Sequence, residues 1–318
     1  MLTPLLIRGS SSVVKGWKEH PVKHPGATII DSLVDTVYNE TSLYLVGGWL
    51  SNTQTARGSV SLLQENQWTL SLTDLARIGI QPVGLKNRPD AHFVSWHTHT
   101  QYPDREIRYS DNTNSVGVGA TLSTNFVLGA TVQPEFDANS ETTFLVGGRN
   151  LGGSILRTNR RTNATTQYAT GLQSHGAFCR AVRGPGNKAY VFGGGTTTTA
   201  NNLVSSFQMN ATGSAAMPAI LAPMPFPARR GIAYLSDPDT IVYIGGNMSG
   251  DTIPNGLVLD DASDRVQRYS ISKNTWTVDS MKFPVKIVGG AYTETSTHHY
   301  ILFGHGNTEN KMFTLLKK

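Results

Sequence analysis

Histidine, arginine and asparagine recur in this 318-residue sequence beside short apolar runs that end in glycine. Directly after such runs come Trp49, His97, Arg149, Asn150, Thr196, Asn247, His305 and Asn307. A second set, His24, Arg88, His175, Arg230 and Lys286, stands just ahead of the next apolar run. Arginine and asparagine hold ligand oxygens, the former through charge-assisted hydrogen bonds. Histidine gains and loses a proton near neutral pH. Trp49 offers a flat apolar face for stacking. The set holds no cluster of carboxylates, so its chemistry suits a neutral or anionic ligand with several oxygens.

Other arrangements of reactive residues are weaker. Trp96-His97-Thr98-His99 places two histidines on one side of a strand, where a third ligand could complete a zinc or copper site. His92, Asp104 and His305 are candidates for that ligand, but nothing in the spacing requires one of them. Cys179 is the single cysteine, which excludes an intrachain disulfide. The nucleophile elbow of serine hydrolases is absent from the sequence, as are phosphate-binding glycine loops.

The elements that must position these side chains are set by a repeat. Tyr44-Leu45-Val46-Gly47-Gly48 returns as Phe144-Leu145-Val146-Gly147-Gly148, Tyr190-Val191-Phe192-Gly193-Gly194 and Val242-Tyr243-Ile244-Gly245-Gly246. A relaxed copy is Tyr300-Ile301-Leu302-Phe303-Gly304-His305-Gly306, and a copy without glycines lies at Phe93-Val94-Ser95-Trp96-His97. Six copies in 318 residues give a period of about 53. In the clearest copy, Val266-Gln267-Arg268-Tyr269 forms a third strand, Lys273-Asn274 turns the chain, and Trp276 stands on a fourth. The aromatic pair is expected to fill the space between neighbouring sheets.

This pattern resembles the kelch-repeat family along essentially the whole chain. The resemblance implies an all-β fold, a closed six-bladed β-propeller occupying residues 1–318 as a single domain. Only one strand, Lys311–Leu316, follows the last glycine motif. Val14-Lys15-Gly16-Trp17-Lys18-Glu19-His20-Pro21 reads as a Trp-bearing fourth strand, so the N-terminal strand is expected to complete the last blade and close the ring. Gly26-Ala27-Thr28-Ile29-Ile30 reads as the first strand of the first blade. Residues 98–125, rich in Asn, Ser and Asp, read as an extended loop or a distorted blade edge.

Composition agrees with such a scaffold. Charged residues make up 15% and glycine numbers 32, against about 25% charged in an average soluble domain. The excess of 27 basic over 22 acidic residues is modest and unclustered, so no nucleic-acid partner is expected. No apolar run is long enough to span a bilayer, and no membrane partner is expected. Four Asn-X-Ser/Thr sequons, at Asn39, Asn163, Asn210 and Asn247, favour a secreted or secretory-pathway protein. Asn247 follows a glycine pair directly, so its sequon is expected to be unused, with Asn163 and Asn210 the better acceptors.

In kelch propellers the segments after the second strands and before the first strands line a central funnel. On that resemblance His97, His175, His305, Arg149 and Arg230 are the expected catalytic residues. Trp49, Asn150, Asn247, Lys286 and Asn307 are the expected ligand-binding residues, with no metal ligands and no cofactor. Because these positions differ from copy to copy, one asymmetric small-molecule site fits better than a repeated lectin site. The chain looks similar to stand-alone, secreted kelch-like propellers of filamentous fungi, some of which act on reactive small molecules by cyclisation or cycloaddition. The expected function is therefore a small-molecule site, tending to a cofactor-independent enzyme of secondary metabolism. Donors would stabilise charge developing on a substrate oxygen, and the funnel would order the reacting atoms. Alternatives are carbohydrate binding and protein interaction. More remote is a radical copper oxidase of the galactose oxidase type, to which Phe178-Cys179 and His298-His299-Tyr300 bear a partial likeness.

Overall fold

The computed structural model describes residues 16–22, 122, 129–135, 141–148, 151–196, 198–213, 217–248, 262–302 and 311–317 with their side chains. It describes residue 303 and the strands between 36 and 121 by their backbone. Among the described residues the chain forms six four-stranded antiparallel sheets and one two-stranded hairpin, with no α-helix.

Sheet 1 runs Thr36–Asn39, Ser42–Val46, Val60–Gln64 and Gln67–Leu72. Sheet 2 runs Val83–Gly84, Phe93–His97, Arg105–Ser110 and Ser115–Thr121. Sheet 3 runs Ala130–Val132, Thr142–Val146, Ile155–Asn159 and Ala164–Ala169. Sheet 4 runs Arg180–Arg183, Lys188–Phe192, Val204–Gln208 and Ala219–Ile220. Sheet 5 runs Ile232–Asp237, Thr240–Ile244, Val266–Ser270 and Thr275–Val278. Sheet 6 runs Gly290–Glu294, His298–Phe303 and Lys311–Leu316, and its fourth strand is Lys18–Glu19 from the other end of the chain. Lys18 pairs with Thr314 and Glu19 with Phe313. First strands touch between sheets 3 and 4, 4 and 5, 5 and 6, and 1 and 2. Sheet 6 also touches sheet 1 through its first strand, which brings the two ends of the series together.

Alternation along the strands explains the scarcity of charge. In sheet 4, Ala189 and Val191 pack toward sheet 3 with Phe144, Val146 and Tyr168. Tyr190 and Phe192, one residue out of step, pack toward sheet 5 with Ile241, Tyr243 and Tyr269. Both faces are buried, so neither side of such a strand can carry charge cheaply. The expected aromatic pair is in place: Tyr269 and Trp276 lie 5.1 Å apart, and Trp276 meets Phe192 of sheet 4 edge-on at 5.8 Å. At the closure Trp17 is 4% exposed, with edge-on contacts to Tyr234 at 6.1 Å and Phe283 at 5.7 Å.

The glycine pairs have a geometric cause. Gly193 and Gly245 end their strands at φ 57° and 67°, in the left-handed region. A Cβ on Gly193 would overlap the Ala228 carbonyl oxygen, which belongs to the segment entering sheet 5. The second glycine then donates its N–H to that same segment. Gly148 bonds the Gly176 carbonyl, Gly194 the Ala228 carbonyl and Gly246 the Ile287 carbonyl, at 2.6, 3.0 and 2.8 Å. Each pair thus ties one sheet to the approach of the next.

One expectation is narrowed and one needs correction. Of the two readings of residues 98–125, the structure shows the distorted blade edge and not the extended loop: Arg105–Ser110 and Ser115–Thr121 are the third and fourth strands of sheet 2, with a register shift between Arg105 and Ile107. Their polar composition hides alternation that only pairing reveals. The first strand of sheet 1 is Thr36–Asn39, which pairs with Ser42–Val46. Residues 26–30, read as that strand from the sequence, lie outside the described residues.

Candidate ligand site at the propeller centre

Antiparallel order places the second-to-third connection and the segment entering the next first strand at the same end of every sheet. Across sheets 4, 5 and 6 these segments are interlocked. Arg229 and Asn247 exchange backbone hydrogen bonds at 3.1 and 2.8 Å. The Arg230 N–H donates to the Phe178 carbonyl at 3.1 Å, and the Gly289 N–H donates to the Arg230 carbonyl at 2.8 Å. A backbone chain therefore runs across sheets 4, 5 and 6.

Three arginines occupy this junction. Arg180, on the first strand of sheet 4, donates through Nε to the Gly231 carbonyl at 2.5 Å and through Nη2 to the Gly290 carbonyl at 3.4 Å. One guanidinium thus spans to the two following sheets, which requires it to lie near the common axis. Arg229 and Arg230 are fully buried. Arg229 donates to the Thr196 carbonyl through Nη1. The Arg230 guanidinium lies 3.7 Å from the Phe178 ring centroid, and that of Arg229 lies 5.7 Å away. Phe178 and Arg230 both adopt left-handed backbone, at φ 62° and 59°, which turns their side chains toward one another.

His175 is fully buried in the segment entering sheet 4. Its Nδ1 lies 3.0 Å from the Gly193 carbonyl and its Nε2 lies 3.0 Å from Ser205 Oγ. A carbonyl only accepts, so Nδ1 carries the proton. Ser205, beside Nε2, donates its hydroxyl to Gln173 Oε1 at 3.0 Å. Burial lowers the imidazole to about 4, partly opposed by the Gly193 contact. At neutral pH the ring is uncharged, with both nitrogens engaged.

The remaining candidates fall as follows. Asn247 is fully buried beside the Gly245-Gly246 turn, and Lys286 is exposed. Thr196 is exposed and accepts Arg229. His97 ends the second strand of sheet 2, paired with Arg105. Trp49 begins a short strand, Trp49–Leu50, that pairs with Thr55–Ala56 within the second-to-third connection of sheet 1. Arg149, Asn150, His305, Asn307, His24 and Arg88 lie outside the described residues, as do Thr98 and His99. Arg180 and Arg229 were not singled out from sequence. The signal for Arg180 was a charged residue within the otherwise apolar Cys179-Arg180-Ala181-Val182.

The copper-oxidase likeness finds little support at Cys179. Its thiol packs with Val146, Ala181 and Val191, and burial pushes it up to about 12. Tyr243, also raised by burial to about 12, accepts the Gly231 N–H at 3.2 Å. His299 stands on the second strand of sheet 6, 2.8 Å from the Tyr292 hydroxyl. Among the described residues no group of three or more His, Cys, Asp or Glu side chains could hold a metal ion.

Sheets of four antiparallel strands, arranged in series with the first and last in contact, define a β-propeller. The chain is similar to the solved protein described as "Structure of YjhT", at 13% identity and a TM-score of 0.67. The match covers 92% of this chain and 96% of that one. At this identity the likeness shows the fold alone. No family model and no curated protein sequence matches the chain.

Proposed function

We propose that this is a kelch-like propeller whose central funnel holds one asymmetric site for a small, oxygen-rich molecule, on which it acts without a cofactor. The observation that carries the reading is the gathering of Arg180, Arg229 and Arg230 with Phe178 where the connections of sheets 4, 5 and 6 converge. Guanidinium groups held over an aromatic ring and out of bulk water form a preorganised electrostatic environment. In such an environment, negative charge growing on a carbonyl or enolate oxygen is stabilised without reorganisation. Arg149 is assigned the direct donor role and His97 and His305 the acid–base role, while Arg230, fully buried, acts through its field from behind the wall. Trp49 stacks on the substrate, and Asn150, Lys286 and Asn307 shape the polar wall, while Asn247, fully buried, holds the junction through its backbone bonds to Arg229 instead of meeting the ligand. His175, neutral and engaged at both nitrogens, is assigned the work of holding the Gly193 turn against the third strand of sheet 4.

The test is native mass spectrometry of the purified chain against panels of neutral sugars, small carboxylates and conjugated ketones. Hits are then assayed for turnover in the presence of a chelator. One ligand per chain, with turnover unaffected by the chelator, is the expected result. Several equivalents of a sugar per chain would point to a repeated lectin site and overturn the reading.

A further inference from the structure

The four sequons divide sharply between the two ends of the sheets. In a four-stranded antiparallel sheet, the first-to-second and third-to-fourth turns lie at one end. The second-to-third connection and the entry to the next sheet lie at the other. Asn39 is the last residue of Thr36–Asn39, at the first-to-second turn of sheet 1, where it pairs with Ser42. Asn163 is at the third-to-fourth turn of sheet 3, between Ile155–Asn159 and Ala164–Ala169. Asn210 follows Val204–Gln208 in the third-to-fourth connection of sheet 4. All three therefore stand on the end opposite the arginine junction. Asn247 alone is on the junction's end, and it is fully buried, its backbone bonded in both directions to Arg229.

The two described acceptors on the far face are built for access. Asn163 is exposed and takes φ 52°, a left-handed position that projects its side chain from the hairpin. Asn159 Oδ1 accepts the N–H groups of Arg161 and Thr162 at 2.9 and 3.1 Å, which fixes this turn. Asn210 is partly exposed, and the Thr212 of its sequon is exposed. Sheet 3 reaches the Asn210 connection through its third strand, where Arg157 donates to the Gly213 carbonyl at 3.1 Å and the Ala211 carbonyl at 3.4 Å.

We propose that Asn163 and Asn210 are N-glycan acceptors, that Asn247 carries no glycan, and that the propeller therefore has one sugar-covered face and one bare face where the ligand enters. In the transfer, the Asn side-chain nitrogen bonds to the anomeric carbon of an oligosaccharide. The bond from that carbon to a polyprenyl diphosphate breaks, the diphosphate leaves, and the amide proton passes to a base of the transferase. A glycan on Asn247 would have to be driven into the packed junction or expel its residue from it, so chains modified there do not reach this fold. The partition rests on topology and burial, and stands whether or not the funnel binds a small molecule.

The experiment expresses the full chain behind a cleavable secretory leader in eukaryotic cells. The folded, soluble fraction is treated with an amidase that converts glycosylated Asn to Asp in heavy-oxygen water, and each sequon peptide is weighed. The expected result is label at Asn163 and Asn210 and none at Asn247. A label on Asn247 in folded protein, or a bare Asn163 or Asn210, overturns the proposal. Thr165→Ala and Thr212→Ala each remove one sequon without disturbing the left-handed Asn163. Each variant should lose one glycan mass and fold as the parent does, and an unchanged mass in either contradicts the assignment.

Discussion

Acidification should expose His175 as a structural group. Unfolded, its imidazole binds a proton near 6.5; folded, burial lowers that value to about 4. The folded state therefore resists protonation that the unfolded state accepts. Stability is at its full value above pH 6.5 and falls as pH drops through the window from 6.5 to about 4. The gap is worth about 3 kcal/mol, with no further loss from this group below pH 4. His20 and His298 are also lowered by burial and act in the same direction, so the contribution of His175 must be isolated by difference. Urea unfolding of the parent and of His175→Gln between pH 4 and pH 7 supplies it. The variant is expected to be less stable at pH 7 and to show an acid limb shallower by about 3 kcal/mol. Imidazole NMR titration of the parent gives a second measurement that does not depend on the variant folding. A His175 resonance titrating near 6.5, or equal acid limbs in both proteins, would refute the buried network with Gly193 and Ser205.

Three further outcomes follow from the packing. Trp17→Ala removes the side chain that locks the N-terminal strand against Tyr234 and Phe283, and should cost about 3–5 kcal/mol in equilibrium unfolding; a loss below about 1 kcal/mol would mean the closure does not depend on it. Arg180→Met removes charged donors to Gly231 and Gly290 and leaves those buried carbonyls short of partners, at a cost of about 3 kcal/mol; it should broaden unfolding by loosening sheets 4 to 6, and an unchanged melt would contradict the bridging role of Arg180. Metal analysis of the purified chain should give well under one equivalent, whereas stoichiometric copper would restore the radical-oxidase alternative.

Much of the scaffold was legible because its geometry allows few residues. The Gly193-Gly194 and Gly245-Gly246 turns admit no side chain against the next sheet, so the pairs recur at a readable spacing. Trp17 was legible for a similar reason, since a closing fourth strand needs the same aromatic plug that Trp276 supplies in sheet 5. Strands Arg105–Ser110 and Ser115–Thr121 were legible only as one of two alternatives, a distorted blade edge or a loop, because Asn, Ser and Asp around them mask the alternation. The arginine junction was half legible. Arg230 falls at a predictable place ahead of a first strand, but the reach of Arg180 across two sheets depends on curvature around the axis, which no local pattern encodes. His175 was legible in place but not in its protonation state, because its burial depends on Ser205, brought to it from the third strand of the same sheet.

The central claim is a single ligand site in the funnel, and its most direct measurement is the affinity of Arg149→Ala and His305→Ala variants for a ligand bound by the parent chain. Loss of binding by at least about a hundredfold in each variant, or about 3 kcal/mol, with nearly unchanged melting temperatures, is the result expected of residues lining one shared site. Parent-like affinity in both variants would contradict the account.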